Sequence, residues 1–126
     1  MPGIVSYRDL IVWQRSMDLA ESCYKITAAF PKEELYGLTS QIRRAAVSVP
    51  SNIAEGNGRE NTGAYIQFLR ISQGSLKELE TQLLLASRIG ITAQDRSGLV
   101  LEECEEIGKM LRSLIRSLQS KIEREG

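Results

Sequence analysis

The chain has 126 residues, 42% of them hydrophobic and 25% charged, with 16 basic and 16 acidic side chains and no histidine. A chain of this size fits one domain that buries a core without disulfide or metal staples, and its apolar content excludes disorder. Balanced charge argues against a strongly basic nucleic-acid binder. Without histidine, Ser-His-Asp and Cys-His catalysis, histidine-ligated zinc, di-iron Glu-x-x-His centres and histidine-ligated haem are all excluded.

Four helical segments are predicted and no strand. The first spans about 10–30. Leu10, Trp13, Met17, Ala20, Tyr24 and Thr27 recur in a 3-4-3-4 rhythm, which predicts one core-facing side. Asp9 is the expected N-cap and Pro31 the expected stop. Leu19, Cys23 and Ile26 lie off this stripe, as Leu101 and Ile115 do on the fourth helix. Apolar bands this wide point to a second packing surface and so to self-association.

After a short polar link at 32–34, the second helix is predicted over 35–55. Leu35, Leu38, Ile42, Ala46, Val49 and Ile53 stay in phase straight through Pro50. A proline inside a helix costs about 3 kcal/mol, and a stripe that survives it predicts a kink rather than a stop. Asn52 is expected to bond where Pro50 leaves the Ala46 carbonyl without its usual partner. Arg44, Ser48, Ser51 and Glu55 fall on the opposite side, where short side chains leave a slim outer face. Ser48, Ser51 and Glu55 are therefore the candidate subunit interface. The Gly56-Asn57-Gly58 run is expected to end the helix as a loop, and it matches neither a phosphate-binding loop nor a dinucleotide fingerprint.

The third helix is predicted from a cap at Asn61 or Thr62 to about 89, with Gly90 as its C-cap. Its inner stripe is Tyr65, Phe68 or Leu69, Ser72, Leu76, Leu79, Leu83 and Ala86. Gly74 interrupts it, which predicts close helix packing there, or else a bend or contact site. The fourth helix starts near Thr92 or Asp95 and reaches about 123. Its stripe is Val100, Cys104, Ile107, Leu111, Leu114, Leu118 and Ile122, and acids precede bases along it, as the helix dipole favours. Short loops make successive helices antiparallel neighbours. The predicted fold is all-α, an up-down-up-down four-helix bundle.

Three features bear on chemistry. Arg43, Arg44 and Arg59 have three readings: surface salt bridges, for instance to Glu55; a subunit interface; or phosphate binding by guanidinium forks. Trp13, Tyr7 and Tyr65 either pack in the core or stack on bases. Cys23 and Cys104 read as reduced core thiols of a cytoplasmic protein, with a disulfide between two helices as the alternative. No CxxC spacing suggests a metal, and Glu78 and Glu80, two apart, cannot converge on one helix face. Met1–Ser6 lacks the features of a signal peptide, and no apolar run is long enough to span a membrane.

Four segments carry a family resemblance: YRDLIVWQ at 7–14; Phe30-Pro31 with Glu34 and YGLTSQIRRAA at 36–46; SVPSNIAEG at 48–56; and GSLKELETQL at 74–83. In these the chain resembles the four-helix-bundle family of 23S rRNA intervening-sequence proteins. The resemblance implies a bacterial cytosolic protein assembling as a ring, a homopentamer. It also implies distant kinship to the accessory protein of diversity-generating retroelements, a basic pentameric barrel that binds reverse transcriptase and nucleic acid. The zero net charge departs from that basic relative, and no catalytic residue is implied.

The expected function is a non-enzymatic homo-oligomeric binding or scaffold protein that uses no cofactor or metal. Its expected partners are itself and RNA or a nucleic-acid-processing protein, with no membrane. A purely structural or toxin–antitoxin-like interaction module is the alternative. An enzyme with a carboxylate site between subunits is less favoured.

Overall fold

The computed structural model describes residues 6–125, in which four α-helices follow one another and no strand occurs. They are α1 (Ile11–Thr27), α2 (Leu38–Asn57), α3 (Thr62–Arg88) and α4 (Gln94–Glu125), with short 3-10 turns at Tyr7–Asp9 and Lys32–Glu34. Both α1 and α3 pack on α2 and α4, closing a four-helix bundle around one core. Ser48 faces Ser75, Val49 faces Ser72, and Gly56 lies against Tyr65 and Phe68, so residue numbers rise along α2 as they fall along α3.

The helix α1 departs most from expectation. Its buried residues are Val12, Ser16, Leu19, Ala20, Cys23, Ile26 and Thr27, whereas Met17 and Tyr24 of the predicted stripe are each 46% exposed. The sequence reading weighted bulky Met17 and Tyr24 above small Ser16 and Cys23. Ser16 is buried at no polar cost because its hydroxyl donates to the Val12 carbonyl at 2.7 Å, and Thr27 donates to the Cys23 carbonyl at 2.6 Å. Leu19, Cys23 and Ile26 are therefore core residues rather than a second packing surface. Ile115 is likewise buried and Leu101 packs partly against the core. Nor does Asp9 cap α1: it lies in the preceding turn, and Leu10 takes the N-cap position with no side-chain bond.

The helix α2 runs unbroken through a buried Pro50, and Ile42, Ala46, Val49 and Ile53 are all buried as predicted. Its start lies three residues later than expected, after Gly37, where the Glu34 carboxylate accepts the Leu38 N–H at 3.2 Å. Leu35 therefore sits outside the helix and is exposed. Asn52 donates from Nδ2 to the Ser48 carbonyl at 2.8 Å rather than to that of Ala46. From α3, the buried Ser72 hydroxyl donates to the Val49 carbonyl at 2.8 Å.

Two glycines exchange their expected roles. Gly56 belongs to α2 rather than to a loop, and it is buried. A Cβ placed there would lie 2.7 Å from the Phe68 Cβ and 3.0 Å from the Tyr65 ring, so this glycine allows α2 and α3 to cross closely. Gly74, expected at a close contact, is exposed and faces open space. Gly90, just past α3, has φ of 80° and closes the helix as expected, its N–H bonding the Ser87 carbonyl at 3.1 Å. Asn61 caps the start of α3 by accepting the Ala64 N–H at 2.9 Å.

On α4, burial ends at Ile115. Leu114 and Leu118 pack partly on the core and Ile122 is exposed, so the apolar stripe outlasts the bundle that covers it. With 32 residues, α4 is about 48 Å long at 1.5 Å per residue.

Candidate functional site

The three arginines singled out in the sequence do not converge. The Arg43 Nε donates to the Thr27 hydroxyl at 2.8 Å and its Nη2 to the Tyr24 carbonyl at 3.3 Å. Its guanidinium carbon lies 4.5 Å from the Tyr24 ring centre. Arg43 thus ties α2 to the C-terminal end of α1, where a cation suits the free carbonyls and the dipole. Arg59 stands at the far end of α2, paired with Glu55 at 3.1 Å and held 4.9 Å above the Phe68 ring. Arg44 is exposed, and among the described residues it makes no ion pair or side-chain hydrogen bond.

The slim outer face of α2 is also divided. Ser48 bonds Ser75 at 2.8 Å across the α2–α3 seam and accepts from Asn52 at 3.0 Å, so its small size has a use within the chain. Ser51 and Glu55 remain on the outside, and Glu55 is engaged by Arg59.

The end of α1, the turn before α2 and the first half of α2 enclose an open groove of about 520 Å³. Tyr24, Leu35, Tyr36, Arg43, Arg44 and Val47 shape it, and among the described residues no carboxylate lines it. Tyr36 is 93% exposed. The nearby Glu34 carboxylate turns back onto the Leu38 N–H instead. Sequence reasoning found the two arginines but missed the rest, because it assigned Leu35 to the core. The available signal was Gly37, which stops the α2 phase one residue short of Tyr36.

The acidic run of α4 is engaged elsewhere. Glu106 pairs with Arg15 at 2.8 Å, Glu105 with Lys109 at 3.8 Å, and Glu103 accepts from the Ser22 hydroxyl at 3.3 Å. Partial burial raises the Glu103 carboxyl above its usual range, and the charges of Asp18 and Glu106 add to this against the Ser22 bond and Arg15. A carboxyl raised by folding holds its proton more tightly in the folded state. Its contribution to stability is therefore present below the unfolded value and is lost as pH rises through the folded one. Glu103→Gln should accordingly raise the melting temperature at neutral pH, with a gain that shrinks as the pH falls toward 4.5. Thermal scans across that range would test it, and a gain that stays constant with pH would refute it.

Cys23 and Cys104 are free and fully buried. Burial pushes the Cys23 thiol up to about 12 and raises the Cys104 thiol too, so both are neutral, unreactive thiols at pH 7. No described helix is long and apolar enough to cross a membrane.

These features define an all-α four-helix-bundle protein bearing an arginine- and tyrosine-lined groove at the junction of its first two helices. The profile of the 23S rRNA-intervening sequence proteins matches residues 8–113, and the chain belongs to that family. A protein of unknown function from the S23 ribosomal protein family of Bacteroides thetaiotaomicron has the same fold. It superposes with a TM-score of 0.76 at 24% identity, over 83% of this chain and 98% of its own. No curated protein matches the chain.

Proposed function

We propose that the protein is a non-enzymatic, self-associating scaffold of the bacterial cytoplasm, with RNA or a nucleic-acid-processing protein as its partner. The observation that carries self-association is the exposed apolar surface at one end of the bundle. Leu84, Leu85, Ile89 and Leu99 all lie exposed where α3 ends and α4 begins. Large apolar side chains left uncovered at one end of a bundle favour a covering partner. A ring of five copies is the assembly that the family resemblance implies. A non-enzymatic role accords with ion-paired acids, neutral buried thiols and the lack of histidine. Association with RNA is suggested by the family's name and by Arg43 and Arg44 in the groove.

Light scattering at micromolar concentration tests the assembly. The expected particle has the mass of five copies of a 14.1 kDa chain, and a clean monomer would overturn the scaffold reading.

A further inference from the structure

We infer that the groove between the end of α1 and the start of α2 is a seat for single-stranded RNA, in which Tyr36 stacks on a base and Arg44 holds a phosphate. This inference rests on the scaffold reading above and gives it a site and a ligand.

The first support is charge. In a chain of zero net charge, this groove is lined by two guanidinium groups and no carboxylate. Of the two acids on the turn, Glu33 and Glu34, neither lines the groove, and Glu34 accepts the first backbone N–H of α2. An anion therefore meets two guanidinium groups and the Ser40 hydroxyl here, set among the apolar Leu35 and Val47 and the Tyr24 ring. The two arginines have different parts. Arg43 is fixed by Thr27 and the Tyr24 carbonyl and covers the Tyr24 ring, so it supplies a stationary positive wall. Arg44, exposed and without an ion pair among the described residues, is free to present its planar fork to phosphate oxygens.

The second support is the tyrosine. Tyr36 is 93% exposed in a turn, beside exposed Leu35. An exposed aromatic ring beside a cationic groove is the device by which proteins hold single strands, since every unpaired base offers a flat face. A duplex keeps its bases stacked inward and gives this ring nothing to cover. An acidic peptide would satisfy the arginines but not explain a free tyrosine, which makes the single strand the better fit.

Fluorescence anisotropy with a labelled oligouridylate, read on the intact assembly, tests the seat. Tyr36→Ala should weaken binding roughly 10-fold or more, as loss of one stacked base does, and Tyr36→Phe should keep it. Arg44→Ala should weaken binding and flatten its salt dependence by about 0.7 in log–log slope for each phosphate released. Both side chains are exposed, so circular dichroism and light scattering should be unchanged in the variants. Full binding by the Tyr36→Ala and Arg44→Ala proteins would overturn this seat while leaving RNA association standing. Binding of oligoglutamate but not oligouridylate, or equal binding of a duplex, would overturn the single-strand assignment. Failure to bind any RNA would overturn the seat without touching the scaffold, which the particle mass decides separately.

Discussion

Leu19→Ala is expected to remove about 2–5 kcal/mol of stability, the range for truncating a fully buried leucine in a close-packed core. Leu19 is 0% exposed and sits among the buried residues of α1 that meet the other helices. Met17, two positions earlier, is half in solvent. Met17→Ala should therefore change stability by only about 0.5 kcal/mol. Urea unfolding of both variants separates the two phases open to α1. Similar losses at 17 and 19, or a larger loss at 17, would mean that the helix presents the face read from sequence, with Met17 and Tyr24 inward.

A second pair of substitutions should give effects of opposite sign. Gly56→Ala places a methyl group 2.7 Å from the Phe68 Cβ and 3.2 Å from the Tyr65 carbonyl oxygen. Neither neighbour is the far end of a flexible side chain, so α2 and α3 must move apart. The strain of such overpacking, about 1–3 kcal/mol or more, exceeds the roughly 1 kcal/mol that alanine gains over glycine in a helix. A net loss of up to about 2 kcal/mol is expected. Gly74→Ala meets nothing within 4 Å and should keep its helix-propensity gain of about 1 kcal/mol. The two melting temperatures would then move in opposite directions. A Gly56→Ala protein as stable as the parent would show that the crossing of α2 and α3 has room to spare.

The bundle was legible because long periodic stripes leave few alternatives. The α2 stripe from Ile42 to Ile53 and the α4 stripe from Val100 to Leu111 lie in the core as read, as do Leu69, Ser72, Leu76, Leu79, Leu83 and Ala86 on α3. The caps at Asn61 and Gly90 were legible because each has a local chemical reason. What periodicity could not resolve was which of two overlapping faces of α1 turns inward. That choice depends on Ser16 returning its hydroxyl to its own backbone, which makes a polar residue behave as a small apolar one. The two interchanged glycines have a similar cause, since closeness of approach is a property of two helices and neither sequence segment carries it alone. The groove was half legible. Arg43 and Arg44 stood out by charge, but Tyr36 and Leu35 became part of it only once Gly37 and Glu34 set the first turn of α2.

The pairing of α1 with α4 has a consequence for how the molecule opens. Arg15 and Glu106 are 91 residues apart in the chain, whereas Ser72 and Val49, which join α2 to α3, are 23 apart. Closing the longer loop costs about 1 kcal/mol more in chain entropy. The α1–α4 edge is held at its rim by an exposed ion pair and one long hydroxyl contact, which adds little. The α2–α3 edge instead has the close approach at Gly56. Of these two edges, the one between the first and last helices is the easier to part. Cys23 and Cys104 lie on those two helices, and both are buried in the shared core. Parting of that edge uncovers the pair together, so the rate at which a thiol reagent labels them is an internal clock for the molecule's largest excursion short of unfolding.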